Sequence, residues 1–242
     1  MDFSAGKLVF LAIKKILKSI IINKLTASML LKILLRCHSV CYRWISCFVI
    51  VFNNGTHPKH SIINYAKWFY EHIQPEWVVL DLGCNTGLLA KAIAKKASFV
   101  YGIDINPDLI QKARRDNAAD NIEYICADAN SFNYRTERGV DCIIMSNLLE
   151  HIENRVGLLK KLVQQVNWKN KNKKIFLIRV PTLERDWLAV YKKNLRVEYR
   201  LDRTHHIEYT CDEFISELAQ AQIKSVQTEV RYGEIYAVCQ CL

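Results

Sequence analysis

The sequence predicts an α/β fold, a mostly parallel sheet with helices packed on both faces, preceded by a basic helical extension. Three observations carry this. Val78–Leu82 is a short apolar, β-branched run that ends in an acid and a glycine turn, then gives way to helical spacing at Leu88, Leu89 and Ile93. Apolar runs and helix-period segments then alternate as far as Val180, which favours parallel pairing through crossovers. Finally, Lys224–Arg231 and Ile235–Cys241 flank Tyr232-Gly233-Glu234, the pattern of a closing hairpin.

Residues 1–54 are read as a separate extension. Leu8, Leu11, Ile16, Ile20 and Ile22 interleave with Lys14, Lys15 and Lys18; a second stretch covers Met29–Leu35, and a third, Trp44–Phe52, runs without a charge. Eight basic residues up to Asn53 stand against Asp2 alone, so the first 53 residues hold +7 of the chain's +10. No single stretch reaches the ~18–20 uncharged residues a bilayer span needs. Recurrent charges and the lack of a small-residue cleavage site argue against a secretory signal. The pattern predicts basic amphipathic helices on an anionic membrane surface, each nearby Lys adding about 1 kcal/mol. A lid over the site, or helices that form a dimer, is the alternative.

Asn53–Pro58 is a turn cluster and marks the boundary, so residues 55–242 form the second domain. His60–His72 reads as one amphipathic helix through Ile62, Ile63, Ala66, Trp68 and Phe69. Helices are expected at 87–97, 107–119 with proline in the first turn, 155–168 and 212–221, with a fifth strand at 174–180. Nine cysteines, several inside apolar strands and with no C-x-x-C pair, read as reduced thiols of a cytosolic protein, and no metal site is expected from them. With only +3 over its 189 residues, the remainder lacks the broad basic face that a nucleic-acid partner favours.

The turn after the first strand sets the chemistry. Gly83 lets a ligand approach the backbone, Asn85 tolerates positive φ, and Gly87 permits close helix–strand packing. A dinucleotide fingerprint needs a third glycine where this chain has Ala90. Asp81-x-Gly83-x-x-x-Gly87 instead resembles the first motif of the class I S-adenosylmethionine (SAM)-dependent methyltransferases. Val100–Ile105 (with Asp104), Tyr124–Ala129 (with Asp128) and Asp141–His151 resemble that family's next three strand ends, in order. The resemblance spans roughly residues 57–242 and implies a Rossmann-like sheet of seven strands in the order 3-2-1-4-5-7-6, the last antiparallel. It also implies SAM as cofactor, held by Asp81, Gly83, Cys84, Asn85, Gly87, Asp104, Ile105, Asp128, Ala129 and Ser146. Asp104 would take the ribose hydroxyls and Asp128 would face the adenine amine.

The 30 residues from Pro181 to Thr210 lie at the carboxyl edge of the sheet, where parallel sheets bind ligands. Arg179, Arg185, Trp187, Tyr191, Asp202, His206, Glu208 and Tyr209 are the candidate acceptor contacts. Thr204–Thr210 is similar to a Thr-His-x-x-x-Tyr-Thr/Ser pattern of small-molecule and sugar-type methyltransferases. A Leu-Glu-His like that ending at His151 recurs in the quinone, sterol and small-molecule branch. An alcohol acceptor must lose its proton as it attacks, so an imidazole near the methyl group is expected, His205 ahead of His151. The resemblance therefore implies O-methylation of a glycan, lipid-linked sugar or other small acceptor at the cytoplasmic membrane face. The alternatives are methylation of a quinone or other membrane lipid, and a SAM-binding scaffold without turnover.

Overall fold

The computed structural model describes Leu11, residues 13–16, 24–55 and 57–241. The apolar positions Leu8, Ile20 and Ile22 fall outside those residues. The chain divides into two compact units. One comprises the described part of residues 1–57 with Val190–Tyr199, and the other Pro58–Ala189 with Arg200–Leu242. The division falls three residues beyond the predicted boundary and also draws a piece of the Pro181–Thr210 insert into the first unit.

In the first unit, Lys24–Phe52 forms one continuous helix, α1. The second and third apolar stretches are thus one element, because Lys32, Arg36 and Arg43 interrupt the apolar run without interrupting the helix, and no Gly or Pro stands between them. At 29 residues, α1 is long and apolar enough to cross a membrane by length and composition, because the separate stretches join into one element, although its longest uncharged run remains Trp44–Phe52. Leu35 is its one buried residue, while Leu34, Trp44, Ile45, Phe48, Val51 and Phe52 stay exposed. Trp44 and Phe48 stack one turn apart, ring centres 5.6 Å apart. Lys192 is buried in this unit, donating from Nζ to Ser39 Oγ (3.0 Å) beside His38 Nδ1 (3.1 Å).

The second unit begins with α2 (Lys59–Ile63) and α3 (Tyr65–His72). The single helix expected over 60–72 is broken at Asn64, which adopts φ 48°, a left-handed conformation Asn accepts more readily than most residues. There follow β1 (Val78–Leu82), α4 (Leu88–Ala94), β2 (Phe99–Asp104), α5 (Pro107–Asp116), β3 (Ile122–Cys126), β4 (Cys142–Ser146), α6 (Arg155–Gln165) and β5 (Ile175–Pro181). After α7 (Trp187–Asn194), which runs past Ala189 into the first unit, come α8 (Cys211–Gln220), β6 (Ile223–Arg231) and β7 (Glu234–Cys241).

The strands form one seven-stranded sheet in the order β3-β2-β1-β4-β5-β7-β6. β1 through β5 pair in parallel, and β7 runs antiparallel to both β5 and β6, as the sequence implied. Alternation along each strand splits the core into two layers. Leu80, Ile143, Met145, Phe176 and Ile178 pack with Leu158, Leu159 and Leu162 of α6 and Phe214 and Leu218 of α8. Val79, Val100, Ile144 and Leu177 pack with Trp68 and Phe69 of α3 and Leu89 and Ile93 of α4. Each fully buried Leu, Ile or Val in these layers contributes about 1.5–3 kcal/mol. The central strands β1 and β5 are buried at every position, the pattern of strands covered on both faces.

Candidate active site

The turn after β1 is held by its neighbours before any ligand is considered. Gly83 and Cys84 both donate their N–H to Ile103 O on β2, at 2.8 and 3.0 Å. Gly83, Asn85 and Gly87 all adopt positive φ, 73°, 50° and 76°, which the residue types predicted. Gly87 has a second reason to be glycine, since a Cβ there would lie 2.3 Å from the Tyr124 hydroxyl. Asp104 braces the turn from the end of β2, one carboxylate oxygen accepting from Asn85 N–H and the other from Asn106 N–H, each at 2.9 Å.

Asp81 sits at the end of β1, buried, and its Oδ2 has no hydrogen-bond partner among the described residues. Burial, reinforced by the nearby Asp104 carboxylate, pushes its carboxyl up to about 7. A cavity of ≈ 300 Å³ opens in front of it, lined by Asp81, Gly83, Cys84, Asn85 and Ser146 from the predicted set. The same cavity is lined by Arg179, which the sequence reading placed among the acceptor contacts, and by His60 and Tyr65, which it assigned no role. The Arg179 guanidinium lies 4.0 Å from the Tyr65 ring centre and 3.5 Å from Glu234, yet its Nη1 is buried without a partner among the described residues. The Cys84 thiol is buried and its pKa is pushed up, so it lines the cavity as an apolar group.

An unpartnered buried carboxylate oxygen and an unpartnered buried guanidinium nitrogen in one cavity suit a zwitterion. The amino-acid end of SAM is one, and Asp81 and Arg179 would hold its ammonium and carboxylate. The sulfonium supplies an already activated methyl group. Ile105, Asp128 and Ala129 lie outside the cavity lining. Ile105 is exposed, and Asp128 accepts from Asn130 N–H (2.9 Å) in an exposed turn where the adenine amine is expected.

The second part of the site follows β4. Asn147 (φ 55°) turns the chain into a short 3₁₀ helix, Leu149–His151. The insert folds back onto it, with His206 N–H donating to Glu150 O at 2.7 Å. This brings His205 to His151, ring centres 4.7 Å apart and nearly perpendicular at 81°. Each imidazole is positioned through Nδ1. His205 Nδ1 faces Glu208 Oε1 at 3.3 Å, and His151 Nδ1 meets Thr204 Oγ1 at 3.0 Å. Glu208 is fully buried, ion-paired with Arg185 and accepting from Leu201 N–H. Asp202 Oδ1 accepts from Thr204 N–H (2.9 Å) and Oγ1 (2.8 Å), and those bonds hold its carboxyl below its usual range. Burial, then the neighbouring His205, lowers the His151 pKa.

Sequence reasoning missed Glu150. It is fully buried, both carboxylate oxygens lack partners among the described residues, and burial pushes it up to about 8. It is near enough to sense Arg179 of the cofactor cavity. The signal was present as the acid in Leu149-Glu150-His151, but its burial depends on the insert returning across it. Arg185, Asp202 and Glu208 therefore act around the histidines, while the His206 ring and Trp187 are exposed. Tyr191 belongs to the first unit. Tyr209 is a core residue whose hydroxyl donates to Glu217 at 2.9 Å, so its ring is taken up by packing.

Sheet order, the acid–glycine turn and a zwitterion-matched cavity at the strand ends together define the class I SAM-dependent methyltransferase fold. Within that class, residues 79–167 match the family described as a methyltransferase domain. The chain is 40% identical over 78 residues to the ribosomal protein L11 methyltransferase of Paraburkholderia phytofirmans, covering 31% of this chain and 25% of that one. It is 36% identical over 84 residues to the ubiquinone biosynthesis O-methyltransferase of Coxiella burnetii, covering 34% and 36%. The matched segment thus spans only about a quarter to a third of the length of these relatives. Among solved structures, a SAM-dependent methyltransferase from Aquifex aeolicus superposes with TM-score 0.58 at 17% identity, over 79% of this chain and 97% of that one. Magnesium protoporphyrin IX methyltransferase from Synechocystis, with bound S-adenosylhomocysteine, gives 0.55 at 17%, over 76% and 83%. S-adenosyl-L-methionine is the cofactor this site fits.

Proposed function

We propose that the chain is a SAM-dependent O-methyltransferase whose acceptor, a glycan or lipid-linked sugar, is presented at the cytoplasmic face of a membrane. The observation that carries the oxygen acceptor is the paired imidazoles of His151 and His205. They meet just beyond β4, with Nδ1 of each engaged by Thr204 or Glu208 and Nε2 left for the acceptor side. Methyl transfer from a sulfonium is an in-line displacement. Alignment of the acceptor supplies on the order of 7 kcal/mol, and removal of the hydroxyl proton at the histidine pair supplies a further ~10²–10⁴-fold. The carbon–sulfur bond breaks with its electron pair going to sulfur, which leaves S-adenosylhomocysteine.

The membrane half of the reading rests on α1, whose apolar side chains are exposed along most of its length and whose basic residues lie mainly in its first half. A dimer through such helices, or a lid, is the competing use. A quinone or other membrane lipid is the second reading of the acceptor, favoured by the likeness to an enzyme named for ubiquinone biosynthesis. A SAM-binding scaffold without turnover is the reading from another class.

The test uses the full chain with tritium-labelled SAM against glycolipid, lipid-linked sugar and quinone fractions. Label entering a glycolipid or sugar fraction supports the proposal, and label in quinone alone selects the second reading. SAM binding with no transfer to any fraction favours the scaffold. With the acceptor in hand, His205→Ala is expected to lower kcat by ~10²–10⁴-fold and leave SAM affinity nearly unchanged; turnover within a few-fold of wild type removes the residue from the mechanism.

A further inference from the structure

We infer that Glu150, His151 and His205 form a binding site for one divalent first-row transition-metal cation. One ligand atom from each of the three lies within 4.8 Å of the others, a spacing that a single ion at ~2.0–2.2 Å from each ligand closes with small rotamer changes. Sequence spacing gave no hint of it, because His205 stands 54 positions from His151 and meets it only through the fold.

Three features distinguish this group from a chance cluster. The first is Glu150, a fully buried carboxylate with neither oxygen bonded to any described residue. A bare buried carboxylate is costly, and buried charges are ordinarily paired or coordinate metals. The second is the state of the imidazoles. With Nδ1 of each engaged by an oxygen partner, Nε2 is the nitrogen that remains for an ion. The third is the outer layer. Glu208 behind His205 makes the carboxylate–histidine arrangement that orients metal-ligating histidines and raises their basicity, and Thr204, itself held by Asp202, does the same for His151. Two imidazoles and one carboxylate suit Mn²⁺, Fe²⁺, Co²⁺ or Zn²⁺, and three protein ligands leave positions open for an acceptor oxygen. The ion's existence is independent of the methyl-transfer reading. Its use rests on that reading and changes one step of it. With both Nε2 atoms on the ion, the histidine pair no longer takes the proton. The ion would instead draw the acceptor hydroxyl into place and lower its pKa so that solvent water takes the proton.

Mn²⁺ is the probe of choice, because the nine free thiols of this chain compete for softer ions. The full chain is titrated with Mn²⁺ by calorimetry, and the loss of the free-ion paramagnetic resonance signal is followed in parallel. One equivalent should bind and raise the melting temperature. Glu150→Gln and His205→Ala should each weaken binding at least ~10-fold. The exposed Thr204→Ala, which leaves the core untouched, should weaken it by ~10–100-fold and decides the matter if a ligand variant does not fold. No binding of Mn²⁺ or Co²⁺ at millimolar concentration, or equal binding by wild type and all folded variants, overturns the inference. SAM is titrated into the same samples. SAM binding without Mn²⁺ binding sinks the metal site alone, and Mn²⁺ binding without SAM binding sinks the methyltransferase reading alone.

Discussion

Helix α1 and strand β5 are both strongly apolar, and they meet opposite fates. All seven residues of β5 are buried, with β4 on one side, β7 on the other and side chains in both core layers. The 29 residues of α1 bury Leu35 alone. The difference teaches that apolar composition states how much surface seeks cover, and topology states whether the chain supplies the cover. β5 is covered by its own chain. Among the described residues α1 is not, and the proposed function gives that cover to an external apolar phase such as a bilayer.

Two substitutions in α1 give the largest effect. Ile45→Asp with Phe48→Asp places two charges where exposed apolar side chains stand. If α1 beds in lipid, liposome co-sedimentation should fall at least ~100-fold, from about 1.5–3 kcal/mol lost per apolar side chain. The urea midpoint of the sheet unit should hardly move. Unchanged sedimentation breaks the comparison and favours the lid or dimer. The mirror experiment is Leu177→Ala in β5, expected to cost about 2–5 kcal/mol in urea unfolding and to leave liposome binding intact.

The next effect is electrostatic and sharpens the buried side of the comparison. Because burial raises the Asp81 carboxyl to about 7, its ionised form is the costly one. The folded protein therefore loses stability as pH climbs from the ordinary carboxyl value towards 7, and the penalty is constant above that. A bound ammonium or sulfonium reverses the preference, so SAM binding should release a proton and tighten up to about tenfold between pH 6 and pH 8. Calorimetry in buffers of different ionisation enthalpy counts that proton. Asp81→Asn should bind more weakly and flatten the profile; a flat wild-type profile would remove Asp81 from the cation's neighbourhood. The last effect belongs to Gly233→Ala in the hairpin turn, a loss of more than about 1 kcal/mol in urea unfolding, since φ is 77° there and a Cβ would press on Arg185 Cβ at 2.6 Å.

The strands and the cofactor turn were legible because each is a local signal, and the strand order came from the family resemblance that those signals carry. An apolar run, an acid and a glycine sit within ten residues, and Tyr232-Gly233 (φ 50° and 77°) announced the last hairpin. Two local readings failed for physical reasons. Arg36 and Arg43 look like boundaries in an apolar count but are good helix formers, so α1 runs through them. Asn64 looks like one polar position in an amphipathic helix, yet its left-handed conformation cuts the helix in two. The acceptor end was legible only as an inventory. Which of its residues face one another depends on the insert returning to Glu150, a contact between distant positions that no periodicity encodes. Tyr209 shows the cost, since the sequence offers a site aromatic and the fold uses it as core.

One ring on β3 links positions that lie far apart in the chain. Tyr124 fills the space that a side chain at Gly87 would need, at 2.3 Å from its hydroxyl, and also the space at Gly102, at 2.8 Å from its ring. Its hydroxyl ties to Asn117 O at 2.9 Å and to Gly87 O at 3.3 Å. Volume at these three positions is therefore a shared quantity. In the drift of sequences descended from this one, a side chain should appear at 87 or 102 only alongside a smaller residue at 124. A lineage that shrinks 124 first opens a route along which the cofactor turn can change shape.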